Sequence, residues 1–366
     1  MTKLWWSQIK SVIRLEMRKT FFARRGLWIY VLALLPILLF TGHAFEVSHR
    51  RARSVQIAGS GEKHLTTADL DAVRSGMTSD EVIALLGKPP LRSHWNHRRR
   101  LESGGFEIIH HESYRYSDGA DDLVIDLANG KVVDTNVQKS FNLPEDSIVF
   151  AGVFQFFFLR LAIFFGCLGI FMNLFRGEVL DKSLHFYFLA PIRREVLMVG
   201  KFLAGLLATC VIFVTSELLQ IVVFTWSFTP NVRDIYLYQN HGLAHSAAYL
   251  GVTALACLGY GAFFLAAGML FRNPILPAGA ILIWEAINPF LPALLKKFSV
   301  IYYLKSLCPV DIPSPPGVPP LMSLLISNPD PVSTPVAILG IIIVALLVLY
   351  VSGFQVQRME INYTTE

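Results

Sequence analysis

The sequence predicts an α-helical membrane protein with six transmembrane helices and a small α+β domain inserted between the first and the second. Three observations lead there. Of 366 residues, 53% are hydrophobic and only 16% are charged, below the quarter or so usual in soluble domains, and the mean hydropathy is +0.49. Apolar runs fall at 27–45, 148–175, 198–226, 243–271, 275–295 and 335–354, each near the roughly 20 residues that a spanning helix needs. Between the first two runs lies a polar stretch, 46–147, large enough for a core of its own.

Charge sets the expected direction. The short segments assigned to the inside carry fourteen Lys and Arg, and those assigned to the outside carry four, Arg233, Lys296, Lys297 and Lys305. That bias predicts both termini in the cytoplasm and residues 46–147 outside, in a bacterial inner membrane. The net charge of +5 is accounted for by basic membrane ends, so nucleic acid is not an expected partner; the bilayer is. Of four cysteines, Cys167, Cys210 and Cys257 fall in apolar runs and Cys308 in a loop, which leaves the polar domain without a disulfide framework.

Residues 1–26 read as a basic interfacial helix. Trp5, Ile9, Val12, Ile13 and Met17 recur near helical spacing, with Lys10, Arg14, Arg18 and Lys19 elsewhere, and indole rings and lysines suit headgroup depth. Residues 27–45 form the first span. Gly42-His43-Ala44 resembles a signal-cleavage site, but a charged region of some 26 residues before the apolar run is long for a signal, so the chain is expected to remain uncleaved. In 46–147, the segment from Glu46 to Lys63 reads as a linker. Thr78 with Glu81 forms a capping box for a short helix with Val82, Leu85 and Leu86 inward and Gly87 as its stop. Phe106, Ile108, Tyr114 and Tyr116 predict one or two strands, and Leu123, Ile125 and Leu127 another. Asn129-Gly130 then turns the chain into a hairpin. His94, His97, His110 and His111 are irregularly spaced among arginines and read as a solvated surface; His241 and His245 read as passive.

The polar stretch 176–201, RGEVLDKSLHFYFLAPIRREVLMVGK, joins two apolar runs with charge at both ends and an amphipathic piece between. Pro191 suits the first turn of a new helix. An acidic residue, a short amphipathic helix, Pro-x-basic-basic-Glu and then Gly-Lys opening a span together resemble the type-2 (ABC-2) permease subunits of ABC exporters. The matching positions are Glu178, Pro191, Arg193, Arg194, Glu195, Gly200 and Lys201. The resemblance implies that this loop docks an ABC ATPase subunit and that the permease pairs with a second copy or a second permease. ATP and Mg would then be bound by the ATPase, and this chain would hold no cofactor, metal or catalytic residue. The absence of a G-x-x-x-x-G-K-[ST] loop, an H-E-x-x-H or a G-x-S-x-G agrees with that. Residues 65–137 are similar to outer-membrane assembly lipoproteins of the SmpA/OmlA type in the order helix motif, tryptophan, strand and Asn-Gly hairpin. That resemblance implies a protein or lipid ligand outside the membrane.

Residues 148–355 are thus read as a five-helix region with its coupling loop at 176–201, and 356–366 as a cytoplasmic tail. The proline-rich segment from Phe298 to Thr334 reads as a stiff external loop, preferred over a re-entrant or interfacial helix in its apolar-aromatic start, Phe298 to Leu307. Two carboxylates lie deep in apolar runs, Glu217 and Glu285. Such a charge costs roughly 2.5–3.5 kcal/mol on insertion scales, so both are candidates to line a translocation path. For Glu285 two other roles compete: capping backbone groups freed near Pro289, and pairing with a cation. The last ranks lowest, on the expectation that no other run holds a basic residue at mid-depth. The function that best fits is the membrane half of an ABC exporter working by alternating access. The alternative is a membrane-anchored sensor or assembly factor whose external domain binds envelope protein or lipid.

Overall fold

The computed structural model describes residues 2–22, 26–100, 106–119, 121–139, 143–180, 189, 192–271, 275–313 and 332–357. Within them the chain is mostly helical, with five helices long and apolar enough to cross a membrane and one four-stranded antiparallel sheet. It divides into two compact units, one comprising Met1–Phe40 with Ser147–Glu366 and the other Thr41–Asp146.

Helix α1 (Thr2–Phe22) turns Val12 and Glu16 inward, one turn apart, and leaves Lys10, Arg14 and Arg18 exposed. Helix α2 (Leu27–Ser60) is 34 residues long, about 50 Å at 1.5 Å per residue. It therefore runs on through the segment from Glu46 that reads as a linker in the sequence. The reason is periodic burial: Val47, Ser54 and Ile57 lie inside, while Arg50 pairs with Glu46 one turn before it. Arginines and a glycine had masked that spacing.

The second unit packs two short helices on the sheet. Helices α3 (Thr67–Leu70) and α4 (Ser79–Leu86) each open on a capping box, Thr66 with Asp69 and Thr78 with Glu81. Gly87 ends α4 at φ +85°, a conformation glycine adopts at little cost. Strands β1 (Leu91–Arg100), β2 (Phe106–Ser117), β3 (Asp121–Ala128) and β4 (Lys131–Lys139) follow in spatial order, and the β3–β4 hairpin turns on Asn129 and Gly130, both at positive φ. The core joins Leu70, Val82 and Leu86 to Tyr114, Ile125 and Leu127. Strand β1, LRSHWNHRRR, carries no apolar alternation and is not legible as a strand. It is an edge strand with exposed side chains, held by its ladder with β2 and by Trp95 stacked on His111 at 5.4 Å.

Glu112 on β2 accepts from Tyr114 Oη at 2.6 Å and from Arg92 at 2.7 Å. Those two bonds, the tyrosine's first, hold its carboxyl below the usual carboxylate range. A depressed folded value means that the carboxylate stabilises fully above the unfolded value and loses that contribution as pH falls through the folded one. Glu112→Gln should therefore melt below wild type at neutral pH, with the gap closing in acid; fluorescence-detected melts of the full-length protein across pH would check it. A gap that stays constant with pH would contradict the assignment.

The remaining helices belong to the first unit, which begins again at Ser147, within the first of them. Helix α5 (Leu143–Gly152), a π-helical segment (Val153–Ile163) and α6 (Phe164–Leu180) form one continuous apolar element. Then come α7 (Arg194–Trp226), α8 (Pro230–Asp234) with a π turn, and α9 (Gly242–Leu270), which packs against α6, α7 and the last helix, α13 (Thr334–Gln357). The run 275–295 does not form the single span expected of it. It divides into α10 (Ile275–Ala286), a 3₁₀ turn (Asn288–Phe290) and α11 (Ala293–Lys296). Pro289 and Pro292 remove donors and crowd the preceding turn. The expected stiff loop in turn begins with a helix, α12 (Val300–Leu307), which lies against the middle of α9. A Cβ at Gly259 would stand 2.7 Å from Val300, so glycine is what allows that approach.

Candidate functional site

The polar stretch 176–201 is anchored at both ends by one buried cluster of charges. Gly200 lets α1 close on α7: a Cβ there would stand 3.0 Å from Val12. The next residue, Lys201, is fully buried. Its ammonium donates to Glu16 of α1 at 2.7 Å and to the Leu174 carbonyl of α6 at 2.7 Å, and it pairs with Glu178 of α6 at 2.8 Å. Two of the three ammonium donors thus make hydrogen bonds, and Glu178 balances the charge. Lys19 closes the group on Glu178 at 3.1 Å, so two carboxylates face two ammonium groups. The lysine also lies 5.3 Å from the Phe175 ring.

Two of the sequence-derived docking residues, Glu178 and Lys201, are thus inside the protein and fix the loop's ends. The others stand at the start of α7. Arg193 is exposed, with its guanidinium 5.3 Å from the Trp5 ring. Arg194 donates to the Gln357 carbonyl at 2.8 Å, and Glu195 accepts from the Gln357 side chain. Pro191 and residues 184–188 of the amphipathic piece, which extends to Leu189, lie outside the described residues. Neither Glu16 nor Lys19 stands out as a site residue in the sequence, where α1 reads as an interfacial helix. The available signal was a lone acid one turn from Val12 in an otherwise basic segment.

Glu285 closes α10 and caps α12. Its carboxylate accepts from Ser299 Oγ at 2.9 Å, from the Val300 amide at 3.0 Å and from the Ile301 amide at 2.8 Å. These amides belong to the first turn of a helix, where donors have no intrahelical partner and the dipole favours an anion. Capping of backbone groups, one of the roles weighed from sequence, is present, although at Val300 rather than near Pro289 and with the carboxylate as acceptor. The cation ranking is also corrected. Arg160 lies in the π-helical segment, in the middle of the run 148–175, within electrostatic reach of Glu285, Lys305 and Cys308. Its own ring neighbour is Phe156, at 5.1 Å. The signal was plain in FFFLRLAIFF. Beside Glu285 a groove of about 590 Å³ is lined by Trp284, Tyr303, Gly340 and Leu347, with Lys297 the basic residue on its wall.

Glu217 lies apart from this group, on α7 and fully buried. His94, His97, His110 and His111 sit on β1 and β2, and His241 and His245 at the start of α9. Among the described residues no group of three or more His, Cys, Asp and Glu is arranged to hold a metal. No family model, curated protein or solved structure matches the chain.

The capping geometry predicts the behaviour of Glu285→Gln. The amide keeps the size but turns one acceptor into a donor facing backbone N–H groups, at a cost of about 1–3 kcal/mol. Hydrogen exchange of the full-length protein should show the first turn of α12 opening more readily, with α7 and α9 unchanged. Unaltered protection at Val300 and Ile301 would contradict the cap.

Proposed function

We propose that the chain is the membrane-spanning permease subunit of an ABC-2-type exporter, moving its substrate by alternating access driven by a separate ATPase subunit. The observation that carries this reading is the anchorage of the 176–201 loop. Both ends of the loop are locked to α1 through Lys201, Glu16 and Glu178. A loop mounted in this way transmits force to α6 and α7 instead of yielding, which is what docking of a motor subunit requires. In this reading Arg193 offers charge to the partner, Arg194 and Glu195 orient the start of α7, and Glu178 and Lys201 hold the mount. The permease works beside a second copy or a second permease.

The same reading gives six crossings in a bacterial inner membrane with both termini cytoplasmic. The fifth crossing in chain order consists of two half-helices, α10 and α12, whose facing ends meet at Glu285. Discontinuous helices of this kind bring helix termini to mid-membrane, where transporters place their substrates. Glu285, Arg160 and the adjoining groove are the pathway residues on this account, with Glu217 a second carboxylate along it. The unit Thr41–Asp146 lies outside and offers its sheet to an envelope protein or lipid.

Two measurements test the proposal. Arg193→Glu should leave membrane abundance near wild type, because the side chain is exposed, yet reduce the ATPase activity that co-purifies with the chain. Equal recovery of ATPase activity would remove the docking role. Cysteines placed at Ser60 or Ser93 should react with an impermeant thiol reagent in intact cells, and one at Ser7 should react only after lysis. The reverse pattern would overturn the topology.

A further inference from the structure

Helices α7 and α9 enclose polar side-chain atoms that no atom of the described residues satisfies. Neither oxygen of Glu217 has a hydrogen-bond partner, although the residue is fully buried. The same is true of Gln220 Oε1, Tyr249 Oη and Thr253 Oγ1, on residues that are at most 3% exposed. Buried polar atoms almost always find a partner, so four such residues in one helix pair call for an explanation.

Aromatic contacts place them together. On α7, Phe213 meets Phe158 and Phe224 meets Phe150, with Glu217 and Gln220 on the turns between. Phe154, one turn from each of those partners, meets Tyr249 of α9 at 4.7 Å. Glu217 therefore stands at the level of Phe154 and Tyr249, and Thr253 lies one turn further along α9. The titratable groups that face it are Tyr249 from α9 and Cys308 beyond α12, both within electrostatic reach. Tyr236 follows behind Phe224. The side facing α2 meets backbone and rings, the Ala33 carbonyl and Phe40. Among the described residues no cation faces Glu217. An ionised carboxylate with neither donor nor countercharge is among the least favourable groups a protein interior can hold.

Donor and acceptor accounting shows what is missing. Gln220 Nε2 already donates to Ser216 Oγ, and Ser216 Oγ donates to the Ala33 carbonyl. Gln220 Oε1 is left as an acceptor one turn from Glu217, on the same face of α7. A carboxylate offers it only another acceptor, whereas a carboxylic acid offers an O–H. We propose that Glu217 is a proton-binding site, carrying its proton in the folded protein at neutral pH with the carboxyl O–H directed toward Gln220 Oε1. Among the described residues no donor bonds the second oxygen. A divalent cation is a poor fit, because it takes six or more oxygens and the site is walled by rings. The assignment deepens the place given to Glu217 in the pathway, yet it stands on α7 and α9 alone and survives if no ATPase docks.

Infrared spectra of the full-length protein in lipid vesicles test it. At neutral pH, wild type minus Glu217→Gln should show one protonated-carboxyl C=O band, unchanged when Na⁺ replaces K⁺. A difference confined to the carboxylate-stretch region overturns the proposal. So does a wild-type band that disappears in Na⁺, which would put a metal cation at the site. If Glu217→Gln does not assemble, wild type grown on isotope-labelled glutamate decides. No protonated glutamic-acid band at neutral pH overturns the proposal, and a band that persists in Glu285→Gln supports it. ATPase co-purification lost through Arg193→Glu has no bearing on this band, so the two readings fail separately.

Discussion

The ammonium of Lys201 is the point on which the first unit depends. Burying it has to be compensated in full, since each ion taken out of water costs several kcal/mol. Compensation here comes from three groups on two helices, Glu16 of α1 and, on α6, Glu178 and the Leu174 carbonyl. A buried ion set is weak evidence for added stability, but it is demanding about geometry. Only one placement of α1 against α6 and α7 brings the three acceptors around one nitrogen. Gly200 removes the side chain that would keep α1 away, so the Gly-Lys pair acts as a unit. The loop that follows α6 and precedes α7 inherits that fixed base.

A second constraint acts where the apolar run 275–295 breaks. Breaking a helix among apolar side chains frees backbone groups that those side chains cannot satisfy. At the break between α10 and α12 the chain supplies its own anion, and Glu285 takes the Ser299 hydroxyl and two amides. Arg160, on the widened π-helical segment opposite, supplies a countercharge at longer range. π-Helical turns widen a helix and concentrate where function needs an unusual side-chain placement. The polar groups and the helix break account for one another: without the break Glu285 has no amides to cap, and without Glu285 the break leaves them bare.

Much of this was legible in the sequence wherever a local rule is sufficient. The capping box at Thr78 and Glu81, the stop at Gly87 and the Asn129-Gly130 hairpin are determined by neighbours a few residues apart, and all are present. Five of the six apolar runs are helices long enough to cross a membrane, because hydropathy alone identifies them. The failures are non-local. Strand β1 is made by its ladder with β2, not by its own pattern. The run 275–295 read as continuous because hydropathy does not register that two prolines divide it. Glu178 and Lys201 carried a recognisable signature but no sign that α1, some 160 or more residues away, would cover them. Arg160, by contrast, is legible locally, as the single charge within FFFLRLAIFF.

The central claim is that Glu16 and Lys201 act as one unit. A double-mutant cycle with Glu16→Gln and Lys201→Met, read as thermal stability of the full-length protein in detergent, tests it most directly. Each single change leaves a buried charge with a missing partner, and such losses reach about 3–5 kcal/mol. The double change removes both, so it should cost less than the sum of the singles, with a coupling of about 0.5–3 kcal/mol. Strict additivity would contradict the account.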